Sequence, residues 1–107
     1  MRRGEVHWVY FPPSGSGSEI HKTRPAVIVT NDAAIGRVAR VQVIPLTSNV
    51  APRFAGEAVV VARGRRSKAV GSQIATVDTA RLLGYFDTLG AADLAAVDDA
   101  LRDQLAL

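Results

Sequence analysis

Cysteine is absent from this 107-residue chain, which excludes a disulfide framework, a thiolate nucleophile and a zinc ribbon. Long apolar runs are missing as well, and none approaches the ~20 residues of a membrane-spanning helix. The opening Met1-Arg2-Arg3-Gly4-Glu5 lacks the apolar h-region of a signal peptide. The expectation is therefore a cytoplasmic protein with no membrane partner. Histidine is scarce, with only His7 and His21, and no set of two or three convergent His, Asp or Glu ligands marks a metal site. No elbow motif or Ser-His-Asp arrangement stands out. The reading assigns no cofactor.

The length suits a single domain over 1–107, large enough to bury roughly 65% of its unfolded surface around one modest core. Charge is distributed unevenly. Residues 1–68 hold 11 Lys/Arg against 4 Asp/Glu, a net of +7, whereas residues 69–107 hold 2 against 6, a net of −4. Such polarity suits a polyanion on one face, or a solvated surface with a basic loop.

Glu5 to Phe11 alternates, with Val6, Trp8 and Tyr10 on one face, and predicts a strand that Pro12-Pro13 ends. Ser14 to Ser18 is a Gly/Ser tract expected to form a mobile loop. Pro25 to Thr30 predicts a central strand closed by Asn31-Asp32. Val38 to Leu46 predicts a third strand, broken near Pro45, and Glu57 to Ala62 a fourth, with Arg63-Gly64-Arg65-Arg66 as a hairpin tip. Ser67 to Val77 contains a fifth with a bulge or bend at Gly71. Asp78 to Leu82 suggests one helical turn, and Leu83 to Thr88 a short sixth strand. From Ala91 the period becomes helical: Leu94, Val97, Leu101 and Leu105 recur at spacings of 3, 4 and 4. Asp93 suits the positive end of that helix, with Gly90 as its cap. The fold class is mainly β with one terminal amphipathic helix packed on a small curled sheet or barrel.

Four groups of residues bear on chemistry. Glu19, His21, Lys22 and Arg24 lie on and beside the Gly/Ser loop. Pro25 drives Arg24 out of the α region, so a five-donor guanidinium stands at the junction of loop and strand. The set fits a phosphate site with Glu19 exchanging a proton, or a solvated loop whose arginine pairs with a carboxylate. Thr47-Ser48-Asn49 ends a buried strand and offers hydroxyls to an oxyanion or simply forms a turn. Arg63, Arg65, Arg66 and Lys68 make a cationic hairpin tip that fits phosphate-backbone contacts or a soluble turn. Among the aromatics, Trp8, Tyr10, Phe11, Tyr85 and Phe86 are assigned mostly to the core by alternation. Phe11 and Phe54 adjoin loops where stacking on bases is an alternative to packing.

In order along the chain, Arg3-Gly4-Glu5-Val6, Trp8-Val9, Gly17-Ser18-Glu19 and Arg24-Pro25-Ala26-Val27-Ile28-Val29-Thr30-Asn31-Asp32 resemble the MazF/PemK family of toxin endoribonucleases. Val43-Ile44-Pro45-Leu46-Thr47-Ser48-Asn49, Gln73-Ile74-Ala75-Thr76-Val77-Asp78-Thr79-Ala80-Arg81-Leu82 and the terminal helix extend the resemblance over nearly the whole chain. It implies a Src-homology-3-like, partly open β-barrel of the CcdB/PemK kind with a C-terminal amphipathic helix. It also implies a homodimer, metal-independent cleavage of single-stranded mRNA, and an antitoxin peptide that occupies the RNA groove. Attack by the substrate 2′-hydroxyl would leave 2′,3′-cyclic phosphate and 5′-hydroxyl ends. The family's motif carries over to Arg24 and Thr47 as the active pair, with Glu19 as the acid–base partner. Ser18, His21, Lys22, Ser48, Asn49, Arg65, Arg66, Lys68 and Gln73 are the expected RNA-binding residues.

Departures from the pattern are specific. Many relatives flank the glutamine with an acidic residue and, two positions on, a basic one, where this chain has Ser72 and Ala75. The PemK branch's catalytic arginine and aspartate are replaced by Val70 and Ser72. These changes motivate an alternative, a catalytically inactive relative that binds RNA or antitoxin. A CcdB-like gyrase poison is disfavoured, because the chain ends Leu105-Ala106-Leu107 rather than Trp-Gly-Ile.

Overall fold

A computed structural model describes residues 1–12 and 22–107. Seven strands are β1 (Glu5–Phe11), β2 (Lys22–Ile28), β3 (Arg40–Thr47), β4 (Glu57–Ala62), β5 (Arg65–Val70), β6 (Ala75–Asp78) and β7 (Leu82–Thr88), followed by helix α1 (Ala91–Leu105). Short 3-10 turns at Gly71–Gln73 and Thr79–Arg81 flank β6. The antiparallel sheet runs β4-β5-β3-β2-β1-β7, with β6 also on β3. It is curled but not closed, the barrel-like architecture expected from the sequence, with seven strands rather than five or six.

The extra strand comes from residues 67–77. Gly71 does not bulge one strand but separates two. Its N–H donates to the Gly56 carbonyl at 2.9 Å, and a Cβ there would lie 2.4 Å from that oxygen. No side chain fits that approach.

β3 is not broken at Pro45. That residue is fully buried and faces Ala26 of β2. On its other flank β3 pairs with β6 over Arg40–Val43 and with β5 at Leu46–Thr47. Pro45 falls between those two ladders, where no partner asks for an N–H. The proline thus sits where the sheet forks.

Both faces of the sheet are packed. Val6, Val27, Ile44, Leu46 and Val60 join Val97 and Ala100 of α1 in one cluster. Val9, Phe11, Ile28, Val41, Val43 and Val77 form the other. Residues 26–28 feed both, which explains the unbroken apolar run of β2. Trp8 and Tyr10 do share a face with Val6, as the alternation predicts: β1 pairs with β2 without a break, and Val9 and Phe11 turn to the other cluster. The β1–β7 pairing shifts register between Val6 and His7 and again between Trp8 and Val9, with the extra residues, Phe86 and Leu83, on β7. Trp8, Tyr10 and Tyr85 are exposed rather than in the core, as is Phe54. Phe11 is buried, whereas Phe86 is half-buried against the first cluster.

Helix α1 covers the β4 end of the sheet. Asp93 in its first turn accepts the Val61 N–H at 2.8 Å, occupying a donor on the edge strand. Arg3 ties the chain's start to α1 through Asp98 and donates from Nε to the Val29 carbonyl at 3.1 Å. No helix among the described residues is long and apolar enough to cross a membrane.

Candidate active site

Two strand ends build the site. β2 enters through Lys22, whose φ of 103° lies in the left-handed region that non-glycine residues rarely adopt. The chain is extended by Arg24, which pairs with Val9 of β1, and Pro25 pairs with Trp8. β3 delivers Thr47 at its last position, opposite Lys68 of β5. Arg24, Thr47 and Ser48 line one open cleft of about 1000 Å³, together with Lys22, Arg65 and Arg66.

Arg24 is half-buried. Its Nε is enclosed with no hydrogen-bond partner, the only such side-chain nitrogen or oxygen among the described residues. Leaving a guanidinium donor buried and unpaired costs about 1–3 kcal/mol, a standing demand for an acceptor. Among the described residues no carboxylate supplies one. Among the described residues Thr47 Oγ1 accepts a long bond from the Asn49 N–H, 3.4 Å, and donates none.

Cations dominate the lining. Lys22, Arg24, Arg63, Arg65 and Arg66 all reach the cleft, and among the described residues no Asp or Glu does. Arg63 is fixed by its surroundings: its N–H donates to Asp87 at 2.6 Å, its Nε to the Phe86 carbonyl at 2.9 Å, and its guanidinium lies 4.2 Å from the Phe86 ring centroid. The Arg63 N–H, and then that of Thr88, hold the Asp87 carboxyl below the usual aspartate range. An electropositive cleft with an enclosed, unpartnered guanidinium Nε and a nearby hydroxyl is chemically suited to an anion such as phosphate.

The PemK-like, MazF-like toxin family of type II toxin–antitoxin systems matches residues 2–105. The chain belongs to that family. Its MazF-like relatives include endoribonuclease MazF9 of Mycobacterium tuberculosis, 37% identical over 116 aligned positions that span 100% of this chain and 98% of the relative. MazF of Deinococcus radiodurans superposes with a TM-score of 0.84 at 25% identity, over 100% of this chain and 97% of that one. A mycobacterial endoribonuclease solved in complex with its cognate antitoxin superposes at 0.80 and 21% identity, over 100% and 96% of the two chains.

The other expected site residues of this MazF-like toxin are dispersed. Ser18, Glu19 and His21 lie outside the described residues. Asn49 is exposed beyond the cleft lining. Gln73 and Ser72 line a second cleft of about 390 Å³ with Phe11, Pro45 and Arg81. Lys68 is a correction to the expected RNA-binding set: it is only 8% exposed. Its ammonium meets Glu57 at 3.2 Å and donates to the Pro52 carbonyl at 2.9 Å, so it clasps the segment after β3 instead of facing solvent. Burial raises the Glu57 pKa, but the Phe54 N–H and then Lys68 and Arg53 outweigh it, and the carboxyl titrates below its usual range.

His7 bonds Glu5 at 2.9 Å, meets Tyr85 edge-on and is not among the residues lining the cleft. That bond is the main reason that Glu5 titrates low. The sequence reading missed Trp8 and Phe86 as cleft residues. Alternation puts Trp8 on Val6's face, and nothing in the sequence shows that this face opens from the core onto the cleft.

Proposed function

We propose that the Arg24–Thr47 cleft is a ribonuclease centre that cuts single-stranded mRNA, making the chain the toxin of a toxin–antitoxin pair. The observation that carries the reading is the buried, unpartnered Arg24 Nε in a cleft whose charged lining, among the described residues, is all cationic. Arg24 clamps the scissile phosphate and stabilises the charge that develops on it. Thr47 donates to a non-bridging oxygen. The substrate 2′-oxygen bonds to phosphorus as the bond to the 5′-oxygen breaks. The 2′-oxygen loses a proton and the 5′-oxygen gains one, giving 2′,3′-cyclic phosphate and 5′-hydroxyl ends. Glu19 is the proposed proton carrier.

Positioning and charge stabilisation suffice for such an internal displacement, so the reaction is proposed to proceed without a metal. Ser48, Lys22, Arg65 and Arg66 take adjacent phosphates, and Ser18, His21, Asn49 and Gln73 are proposed to extend the RNA contact. The working unit is proposed to be a cytoplasmic homodimer whose groove a cognate antitoxin peptide occupies, as the antitoxin complex of the mycobacterial relative supports. Ser72 and Ala75 favour the second reading, RNA binding without turnover.

Incubating the purified protein with a panel of single-stranded RNAs in EDTA separates the two. Cleavage that disappears in Arg24→Ala supports the enzyme. Salt-sensitive binding of RNA that stays intact supports the second reading and overturns the first.

A further inference from the structure

We propose that Trp8 is the stacking face of a nucleobase subsite beside the Arg24–Thr47 centre, taking one unpaired base of a single-stranded RNA. The ligand class rests on the ribonuclease reading above. The placement rests on three independent features of the cleft wall.

First, a tryptophan in a strand facing a packed sheet belongs in the core, yet Trp8 is 37% exposed and lines the cleft. Second, it is braced. Phe86 meets it in a T-shaped contact at 5.2 Å and 84°. Arg63 lies over the Phe86 ring at 4.2 Å, and the Phe86 carbonyl and Asp87 carboxylate hold Arg63 in turn. An exposed indole held this way is already ordered, so a base stacking on it meets little further entropy cost. Third, it lies close to the phosphate site. Trp8 pairs with Pro25, the residue after Arg24, and although adjacent rungs point to opposite faces, Trp8 and Arg24 both line the one cleft. Phosphate on Arg24 thereby brings a flanking base to the indole.

Charge selects among occupants. An aliphatic or acidic peptide would use the apolar surface or the cations, whereas a single strand of RNA uses both at once. Aromatic rings stack bases of any identity, and the flanking arginines take the backbone.

The chain has one tryptophan, so its intrinsic fluorescence reports this subsite alone. The probe is a set of short 2′-O-methyl single strands of mixed sequence, with binding followed by the anisotropy of an end label. Quenching should saturate together with anisotropy. An abasic replacement at one position should remove the quench and weaken binding about tenfold, the scale of one base–aromatic stack. Trp8→Phe should keep most of the affinity and Trp8→Leu lose about tenfold with the melting temperature unchanged. Because the abasic strand leaves the protein untouched, the result does not depend on how either variant folds.

Full binding with unchanged fluorescence and no abasic-sensitive position overturns the subsite. Cleavage of the all-ribose strands, measured in parallel, keeps the two readings apart. Strands cut while the indole stays silent overturn the subsite and leave the ribonuclease standing. Strands left intact while the indole is quenched at one position overturn the ribonuclease and support the subsite. An indole that answers only to an acidic peptide assigns the patch to a protein partner and overturns the proposal.

Discussion

Lys68→Met is expected to destabilise the protein by about 2–3 kcal/mol at pH 7. Lys68 is buried, and its ammonium is shared between Glu57 at 3.2 Å and the Pro52 carbonyl at 2.9 Å. Methionine preserves the stem's volume and removes the charge, leaving Glu57 as a carboxylate whose side chain is only 15% exposed. Breaking one side of a buried pair costs about 3–5 kcal/mol. The Phe54 N–H still reaches Glu57 at 2.8 Å, which places the expected loss toward the lower end. With a urea slope of about 1–1.5 kcal/mol per molar for a chain of this size, the midpoint should fall by about 2 M.

Neutralising both partners in Lys68→Met with Glu57→Gln should restore at least half of the loss, a coupling of about 1–2 kcal/mol. The pH dependence follows from the lowered Glu57 pKa. A carboxyl titrating lower in the folded chain than in the unfolded one contributes stability that is complete above the ordinary glutamate range. That contribution drains away as pH falls through the folded value. The gap between the wild type and Lys68→Met should therefore narrow on acidification. Urea titration followed by Trp8 fluorescence measures all three. A single variant within about 0.5 kcal/mol of wild type, or a double variant that simply adds the two losses, would refute the clasp.

Other variants probe separate parts of the structure. Gly71→Ala puts a Cβ 2.4 Å from the Gly56 carbonyl oxygen and should cost about 2 kcal/mol, or roughly 10 °C by calorimetry; an unchanged transition would show that the two glycines do not meet. Arg3→Ala releases Asp98 and the Val29 carbonyl. At these partly exposed positions it should cost about 1 kcal/mol in chemical denaturation, and less at high salt. Thr47→Val keeps the branched shape at the end of β3 but removes the hydroxyl. It should lower kcat by about 10²–10³ with stability preserved, and a kcat within threefold of wild type would dismiss the hydroxyl from catalysis.

Much of the fold was legible because its signals are local. The alternation over Glu5–Phe11 and Glu57–Ala62 and the helical spacing from Ala91 coincide with β1, β4 and α1. Arg24 was legible too, since Pro25 alone dictates its extended backbone. What escaped was whatever depends on a distant segment. Pro45 reads as a strand breaker until β6 and β5 are seen to share that flank of β3. Gly71 reads as a bulge until Gly56 is found against it. Lys68 reads as one more cation of the hairpin tip, because nothing near it in sequence announces Glu57 and the Pro52 carbonyl. Trp8 was misplaced because its face of β1, which packs in the core at Val6, opens onto the cleft two residues later. The candidate site was half visible in consequence: the arginine at its centre was apparent, its aromatic wall was not.

Internal attack by a 2′-hydroxyl in the Arg24–Thr47 cleft is the centre of the account, and a single substitution in the substrate tests it most directly. Once a cleaved RNA has been mapped, the same strand is made with one 2′-deoxynucleotide immediately 5′ of the cut phosphate. Both strands are then digested in EDTA and their ends analysed. The all-ribose strand should be cut to 2′,3′-cyclic phosphate and 5′-hydroxyl ends, and the singly deoxy strand should stay intact at that position. Cleavage of the deoxy strand there at a comparable rate would contradict the mechanism.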